Sequence, residues 1–457
     1  MHVLQDDVIA AIATPSGVGG VGIVRISGKD AIAVADRVYR NASDQQLASF
    51  EAHTIHYGHC YDAQGKRIDE VLVSIMKAPR SYTAEDVVEI NCHGGPVALH
   101  AVLDAVIRAG ARLADPGEFT RRAFVNGRID LTQAEAVADI IEAKTAIGLA
   151  YSVNQLSGGL SKKYQVMDAE LLHLMTFIDA AIDYPEYDIE TVTGDTLRRS
   201  IDGLIVSVDA LLDSAQMGKI YRNGVDTVIL GEPNVGKSSL LNKLIREDKA
   251  LVTDIPGTTR DVVEAYINIE GIPFHIIDTA GIRETDDVVE KLGVEKSKQM
   301  MDRAELILMM TDVSRETSED EDTLITALQD KPYIRIYNKI DLKDEVLTDL
   351  KPNEIALSIK TETGLDALRR QMVAMVTGNQ TAKAADDVIV SNLRHVNLLR
   401  QVRENLTNAL NGLSIGMSVD MVAIDLEEAL ENLRRITGQS LGDDIIDQIF
   451  ANFCLGK

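Results

Sequence analysis

Residues 231–238 read Gly-Glu-Pro-Asn-Val-Gly-Lys-Ser, a run that neither a helix nor a strand accommodates whole. Such a loop works only where a strand delivers the chain and a helix leads it away. Both flanks meet that demand: Val225 to Leu230 is a short apolar run, and Leu240, Leu241 and Leu244 recur at helical spacing. Gly231 and Gly236 free the backbone to turn its N–H groups inward, which makes a cradle for an anion. Lys237 then reaches the β and γ phosphates of a nucleotide, and the Ser238 hydroxyl is a magnesium ligand. An element of this kind belongs to an α/β layer, so part of the chain is an α/β domain.

Two further motifs identify the nucleotide. Asp278-Thr279-Ala280-Gly281 follows the apolar pair Ile276-Ile277; an Asp at a strand end holds the magnesium shell through water, and the Gly281 amide senses the γ phosphate. Asn338-Lys339-Ile340-Asp341 follows the apolar run Tyr333 to Tyr337. The Asp341 carboxylate accepts from both the ring N–H and the exocyclic amine of guanine. Adenine cannot offer that pair, and the unpaired groups penalise it by roughly several kcal/mol. Ser358-Ile359-Lys360 stands where Ser-Ala-Lys usually backs the base, so Ile359 is a departure. The expected nucleotide set is therefore Asn234, Val235, Gly236, Lys237, Ser238 and Ser239 in the loop, Thr253, Asp254, Ile255, Pro256, Gly257, Thr258 and Thr259 between the motifs, then Asp278, Thr279, Ala280, Gly281, Asn338, Lys339, Asp341 and Ser358. Small signalling GTPases place a water-orienting glutamine directly after the Asp-Thr-Ala-Gly glycine. Here Ile282 follows, which cannot position water, and the acids Glu284, Asp286, Asp287 and Glu290 are the candidates.

Periodicity organises the rest into four segments. Residues 1–118 carry short β-rich runs (Asp7 to Thr14, Val21 to Ser27, Val71 to Lys77) and a helical stretch near Val97 to Ala109, an α+β domain. Gly17 to Gly22 is followed by the strand run Ile23 to Ile26, not by a helix, so these glycines are no dinucleotide loop. Over 119–223 the helical period takes over. Leu160, Tyr164, Met167, Leu171, Leu174, Ile178 and Ala181 form one seam, and Leu197, Ile201, Leu204, Val208, Leu211 and Ala215 another, joined by an acidic connection containing Pro185. Residues 224–377 hold the nucleotide motifs. From 378 to 457 the period returns in Leu399, Val402, Leu406, Leu410 and Leu413, then in Val422, Leu426, Ala429, Leu433 and Ile436. Helices on both sides of an α/β unit imply a Ras-like domain inserted in a discontinuous helical one.

The charge limits the partners. Seventy-one acids against 46 bases leave a net charge of −25, which opposes the attraction behind non-specific nucleic-acid binding. Arg121, Arg122 and Arg128 form a small basic cluster, readable as a solvated helix start or as a local RNA contact. Three scattered cysteines, Cys60, Cys92 and Cys454, make no disulfide framework or zinc site. No apolar run reaches the roughly 18 residues of a membrane span, and Met1 to Asp7 lacks a basic leader, so a cytoplasmic protein is expected.

Asn234, Gly257-Thr258-Thr259-Arg260-Asp261, Asp278-Thr279-Ala280-Gly281-Ile282-Arg283, the closing Phe453-Cys454-Leu455-Gly456-Lys457 and the amino-terminal run from Ala13 to Gly28 together make the chain resemble, over essentially its whole length, the MnmE (TrmE) family of tRNA-uridine modification GTPases. The resemblance implies potassium beside the nucleotide, held by the Asn234 side chain, the carbonyls of Thr253 and Ile255, and Thr258. It places Ser238 and Thr259 on magnesium and makes Glu290 the water-orienting acid. It implies a 5-formyl-tetrahydrofolate, or a related one-carbon folate, held by Arg25, Glu89, Arg128 and Lys457, with Cys454 a candidate nucleophile. It further implies a homodimer that joins a flavin-dependent subunit resembling MnmG in a heterotetramer and adds a carboxymethylaminomethyl or aminomethyl group to the wobble uridine of certain tRNAs. A regulatory GTPase switch acting on ribosome or stress partners is the alternative; it shares the nucleotide motifs but has no use for a folate site.

Overall fold

A computed structural model describes residues 7–183, 190–247, 263–278, 301–315, 318–328, 331–343, 349–378 and 388–457. The chain divides into two units, one of residues 1–138, 155–200 and 405–457, the other of 139–154 and 201–404. The segment that carries the nucleotide motifs is thus flanked in sequence by parts of the first unit.

The first unit is built on strands β1 (Ile9–Ile12), β2 (Val21–Ser27), β3 (Tyr39–Arg40), β4 (Thr54–Tyr61), β5 (Arg67–Met76), β6 (Val87–His93) and β7 (Arg112–Leu113), with helices α1 (Ala31–Val38) and α2 (Pro96–Arg108). Their order in the sheet is β3-β4-β5-β6-β2-β1-β7, antiparallel except where β7 runs parallel to β1. Side chains alternate across the sheet. Val24, Ile26, Val71, Val73, Ile75, Val88 and Ile90 share a buried core with residues of α1 and α2. Arg25 then falls on the other face, opposite Glu89 in the β2–β6 register. A slip of one residue would bury Arg25 and expose Val24 and Ile26, at about 1.5–3 kcal/mol for each apolar side chain, so the core fixes where Arg25 stands.

Helices α3 (Glu118–Val125), α4 (Leu131–Glu142), α5 (Ala146–Leu156), α6 (Gly159–Asp183) and α7 (Glu190–Asn223) follow. Leu160, Tyr164, Met167, Leu171, Leu174 and Ile178 of α6 are buried. Its seam meets the helix Val419–Thr437, whose Val422, Leu426, Ala429, Leu433 and Ile436 are buried as well. Arg434 Nε donates to Asp168 Oδ1 at 2.8 Å across this pair. Hydrophobic residues at three- and four-residue steps make such a seam from two helices lying more than 230 residues apart in the chain.

The second unit holds β8 (Val225–Gly231), α8 (Lys237–Glu247), β9 (Val263–Ile269), β10 (Ile272–Asp278), β11 (Leu306–Asp312), β12 (Tyr333–Asn338) and β13 (Glu354–Ala356). The sheet order is β13-β12-β11-β8-β10-β9, parallel throughout except for β9 at the edge. All seven residues of β11 are buried, and the five from Leu306 to Met310 make it apolar on both faces, as a central parallel strand must be. Met217, Ile220 and Tyr221 at the end of α7 join the core of this sheet, with Ile147 and Tyr151 of α5 packed against it. No described helix is long and apolar enough to cross a membrane.

Candidate functional site

The loop 231–237 lies at the carboxyl end of β8 and opens directly into α8, whose N-terminal amides face an anion placed in the loop. Gly236 has φ +108, and a Cβ there would stand 2.6 Å from Asn338 Nδ2. Only glycine lets the base-reading loop come this close. Asn338 uses that approach to donate from Nδ2 to the Val235 carbonyl at 2.8 Å. Lys339 Nζ donates to the Asn234 carbonyl at 3.1 Å. Lys237 Nζ lies within the loop and donates to the carbonyls of Gly231 and Glu232 at 2.9 and 2.8 Å.

The residues expected to read guanine are bonded to one another. Ser358 Oγ donates to Asp341 Oδ1 at 2.7 Å, which orients the carboxylate. The Ile359 N–H donates to Asn338 Oδ1 at 3.4 Å. This position therefore works through its main chain, and the isoleucine side chain packs against the sheet core; that is why an apolar residue larger than alanine is tolerated.

Asp278 ends β10, its main chain paired with Ile229 of β8 beside the loop. Thr253, Asp254, Ile255, Pro256, Gly257, Thr258, Thr259, Thr279, Ala280, Gly281 and Glu290 lie outside the described residues.

A second constellation lies in the first unit. Arg25 Nε donates to Glu89 Oε1 at 2.8 Å, and Arg25 Nη1 donates to the Gly456 carbonyl at 3.0 Å. Its guanidinium stands over the rings of Tyr82 and Phe119, 5.4 and 5.7 Å from their centroids. Arg128 caps the same Tyr82 ring at 5.1 Å and donates from Nη1 to the Tyr82 carbonyl at 2.8 Å. Burial, reinforced by the Arg25 charge, pushes the Lys457 amine down, against the pull of Glu89 and Cys454. Arg25 and Arg128 thus share the Tyr82 ring, Glu89 is bonded to Arg25, and Lys457 lies within reach of the charges of Arg25 and Glu89, while Cys454 is exposed. The tail is seated by Gly456, φ +87, where a Cβ would meet the Ile12 carbonyl oxygen at 2.3 Å.

The basic cluster expected at Arg121, Arg122 and Arg128 is not one surface patch: Arg122 is buried, Arg121 half-buried and Arg128 exposed. Arg122 is 1% exposed and pairs with Asp7 at 2.6 Å and with Glu85 and Glu118 at 3.2 Å. Arg121 pairs with Asp447 at 2.8 Å, and Arg128 is tied through Nη1 to Tyr82. Sequence reasoning also missed Tyr82, Phe119 and Asp312. Asp312 ends an apolar strand as Asp278 does, which is the signal that would have found it.

A six-stranded sheet of this order, with a glycine loop before α8 and an Asn-Lys-Ile-Asp loop docked on it, defines a P-loop GTPase selective for guanine. The family model described as "MnmE helical domain" matches residues 131–454, and that described as "GTP-binding protein TrmE N-terminus" matches residues 8–128. The chain belongs to the MnmE family of tRNA modification GTPases. It is 48% identical to the tRNA modification GTPase MnmE of Carboxydothermus hydrogenoformans over 99% of this chain and 100% of that one. It is 46% identical to that of Geobacillus thermodenitrificans over 99% of both. A crystal structure of an Aquifex aeolicus Era variant bound to GDP and AlF4 is 26% identical, covering 40% of this chain and 66% of its own, with a TM-score of 0.28.

Proposed function

We propose that the protein hydrolyses GTP to drive addition of a carboxymethylaminomethyl or aminomethyl group to the wobble uridine of certain tRNAs, working with a flavin-dependent MnmG-like subunit. The observation that carries this reading is the second site. A signalling switch needs the guanine reader but has no use for Arg25 and Arg128 over Tyr82, Glu89 bonded to Arg25, and a carboxyl-terminal tail docked on Arg25.

Those residues fit a one-carbon folate. Glu89, bonded to Arg25 through Oε1, is an acceptor for ring N–H groups, and the cations Arg25, Arg128 and Lys457 would meet the folate's carboxylates. Bound there, 5-formyl-tetrahydrofolate or a relative would supply the one-carbon unit. Arg25 and Lys457 orient it, and Cys454 is the candidate nucleophile near it. At the nucleotide, Ser238 and Thr259 would hold magnesium. Asn234, the carbonyls of Thr253 and Ile255, and Thr258 would hold potassium in place of an arginine finger, with Glu290 orienting the attacking water.

We infer a homodimer through the first unit's sheet. Ile55 and Tyr57 on β4 and Leu72 on β5 are exposed, with Tyr57 opposite Leu72, an apolar face of the kind a partner covers. Potassium-dependent pairing of two GTPase domains would then trigger hydrolysis, and the helices would relay it. The test is hydrolysis in potassium against sodium salts at equal ionic strength. Strong stimulation by potassium alone is expected, and equal rates would overturn the potassium mechanism. The net charge of −25 leaves much of the RNA contact to the flavin-dependent subunit.

A further inference from the structure

Asp312 closes β11 with its side chain 3% exposed. Its carboxylate is fully used. Oδ2 accepts from Lys339 Nζ at 2.5 Å, while Oδ1 accepts from the Ser314 N–H at 3.0 Å and the Ser314 hydroxyl at 2.6 Å. Arg315 stands farther off, at 3.7 Å. The ammonium that meets Asp312 is the one that holds the Asn234 carbonyl. Both ends of that contact lie in the left-handed region, Lys339 at φ +69 and Asn234 at φ +66. A residue bearing a Cβ adopts this conformation at a cost, so each needs an external tie to keep it.

We propose that Asp312 is a positioning residue for guanine-nucleotide binding, anchoring Lys339 so that its ammonium fixes the phosphate loop at Asn234. Burial alone would raise the Asp312 carboxyl, but the bonds from Lys339 and Ser314 outweigh it and hold the group below the usual range, charged. A buried anion demands its cation, and this one also determines where the cation is. The phosphate loop and the base-reading loop are thereby set relative to each other before GTP arrives. The inference rests on the GTP-binding reading and deepens it.

The test is titration of a fluorescent GDP analogue into the native chain, Asp312→Asn, Lys339→Met and the double variant. Loss of a charge-assisted bond at Asp312→Asn should weaken binding by about tenfold. The double variant should bind no more weakly than Lys339→Met alone, because Asp312 acts through that lysine. Native affinity in Asp312→Asn, or losses that multiply in the double variant, would overturn the proposal. A role in stability alone would lower the thermal midpoint and leave the affinity of the folded protein unmoved, which also overturns it. Ser314→Ala keeps the charge and removes one bond to it, so a loss of about two- to threefold is expected. That milder variant decides the matter should Asp312→Asn not fold, since native affinity there sinks the proposal. A native chain that binds no GDP would overturn the nucleotide reading itself, a failure distinct from these.

Discussion

At the scale of single residues, the two ends of the chain make the sharpest predictions. Gly456→Ala puts a methyl group 2.3 Å from the Ile12 carbonyl, at φ +87, so the tail must lift and take Lys457 from Arg25 and Glu89. Binding of 5-formyl-tetrahydrofolate, followed by calorimetry, should fall by at least tenfold while the rate of GTP hydrolysis holds; undiminished folate binding would refute the placement of the tail. Cys454→Ser should impair tRNA modification and leave hydrolysis intact, and unchanged modification would remove Cys454 from the chemistry. The glycine loop and the Asn-Lys-Ile-Asp loop, which the structure brings together, were legible because each motif is local: a glycine loop between an apolar run and a helical one, or an Asp two residues after a lysine. Arg25 and Glu89 were readable only by resemblance. They lie 64 residues apart, and nothing in either strand alone states the register that pairs them. Asp312 escaped notice because its partner Lys339 is 27 residues away and both serve another group's position.

Elements show where local reading stops. Val21 to Ser27 was expected as a strand and is β2, and Val97 to Ala109 as a helix lies within one residue of α2, since periods of 2.0 and 3.6 survive without tertiary context. Arg122 misled because its partners come from the chain start and from the loop before β6, 115 and 37 residues away. Arg122→Met would remove the buried cation shared by Asp7, Glu85 and Glu118, of which Asp7 and Glu118 keep Arg112, and cost roughly 1.5–3 kcal/mol in urea unfolding. A loss below about 0.5 kcal/mol would show that the network is not structural. The network also sets a pH dependence. Burial works to raise the Asp7 and Glu118 carboxyls, but Arg112 and Arg122 prevail and hold both below the usual range. Groups depressed in this way add stability that is complete above ordinary carboxylate values and drains away as pH falls through their lowered ones. The urea midpoint should therefore be level from about pH 7 to 5 and fall below about pH 4. The Arg122→Met variant should show a shallower fall over that acid range, and an identical slope would contradict the linkage.

For the whole molecule, the insertion is the feature that matters. The sheet that carries the nucleotide motifs is enclosed in sequence by parts of a unit that also carries Arg25, Glu89, Arg128 and Lys457, so the proposed function puts an energy source and a reaction site on one chain. The helical periods on both sides of the nucleotide motifs pointed to an insertion, expected over residues 224–377. They did not reveal that α5 and the end of α7 would join the core of the nucleotide sheet, with Tyr151 and Tyr221 ring centroids 5.0 Å apart. Apolar seams state how much surface is buried and leave open against what. The central claim is that GTP bound at the loop drives wobble-uridine modification. It is tested most directly by nucleoside analysis of tRNA from cells whose only copy of the protein carries Lys237→Ala. Removing the loop's phosphate-reaching ammonium should leave those wobble uridines unmodified, while the native chain restores them in the same cells. Fully modified uridines in the Lys237→Ala cells would contradict the account.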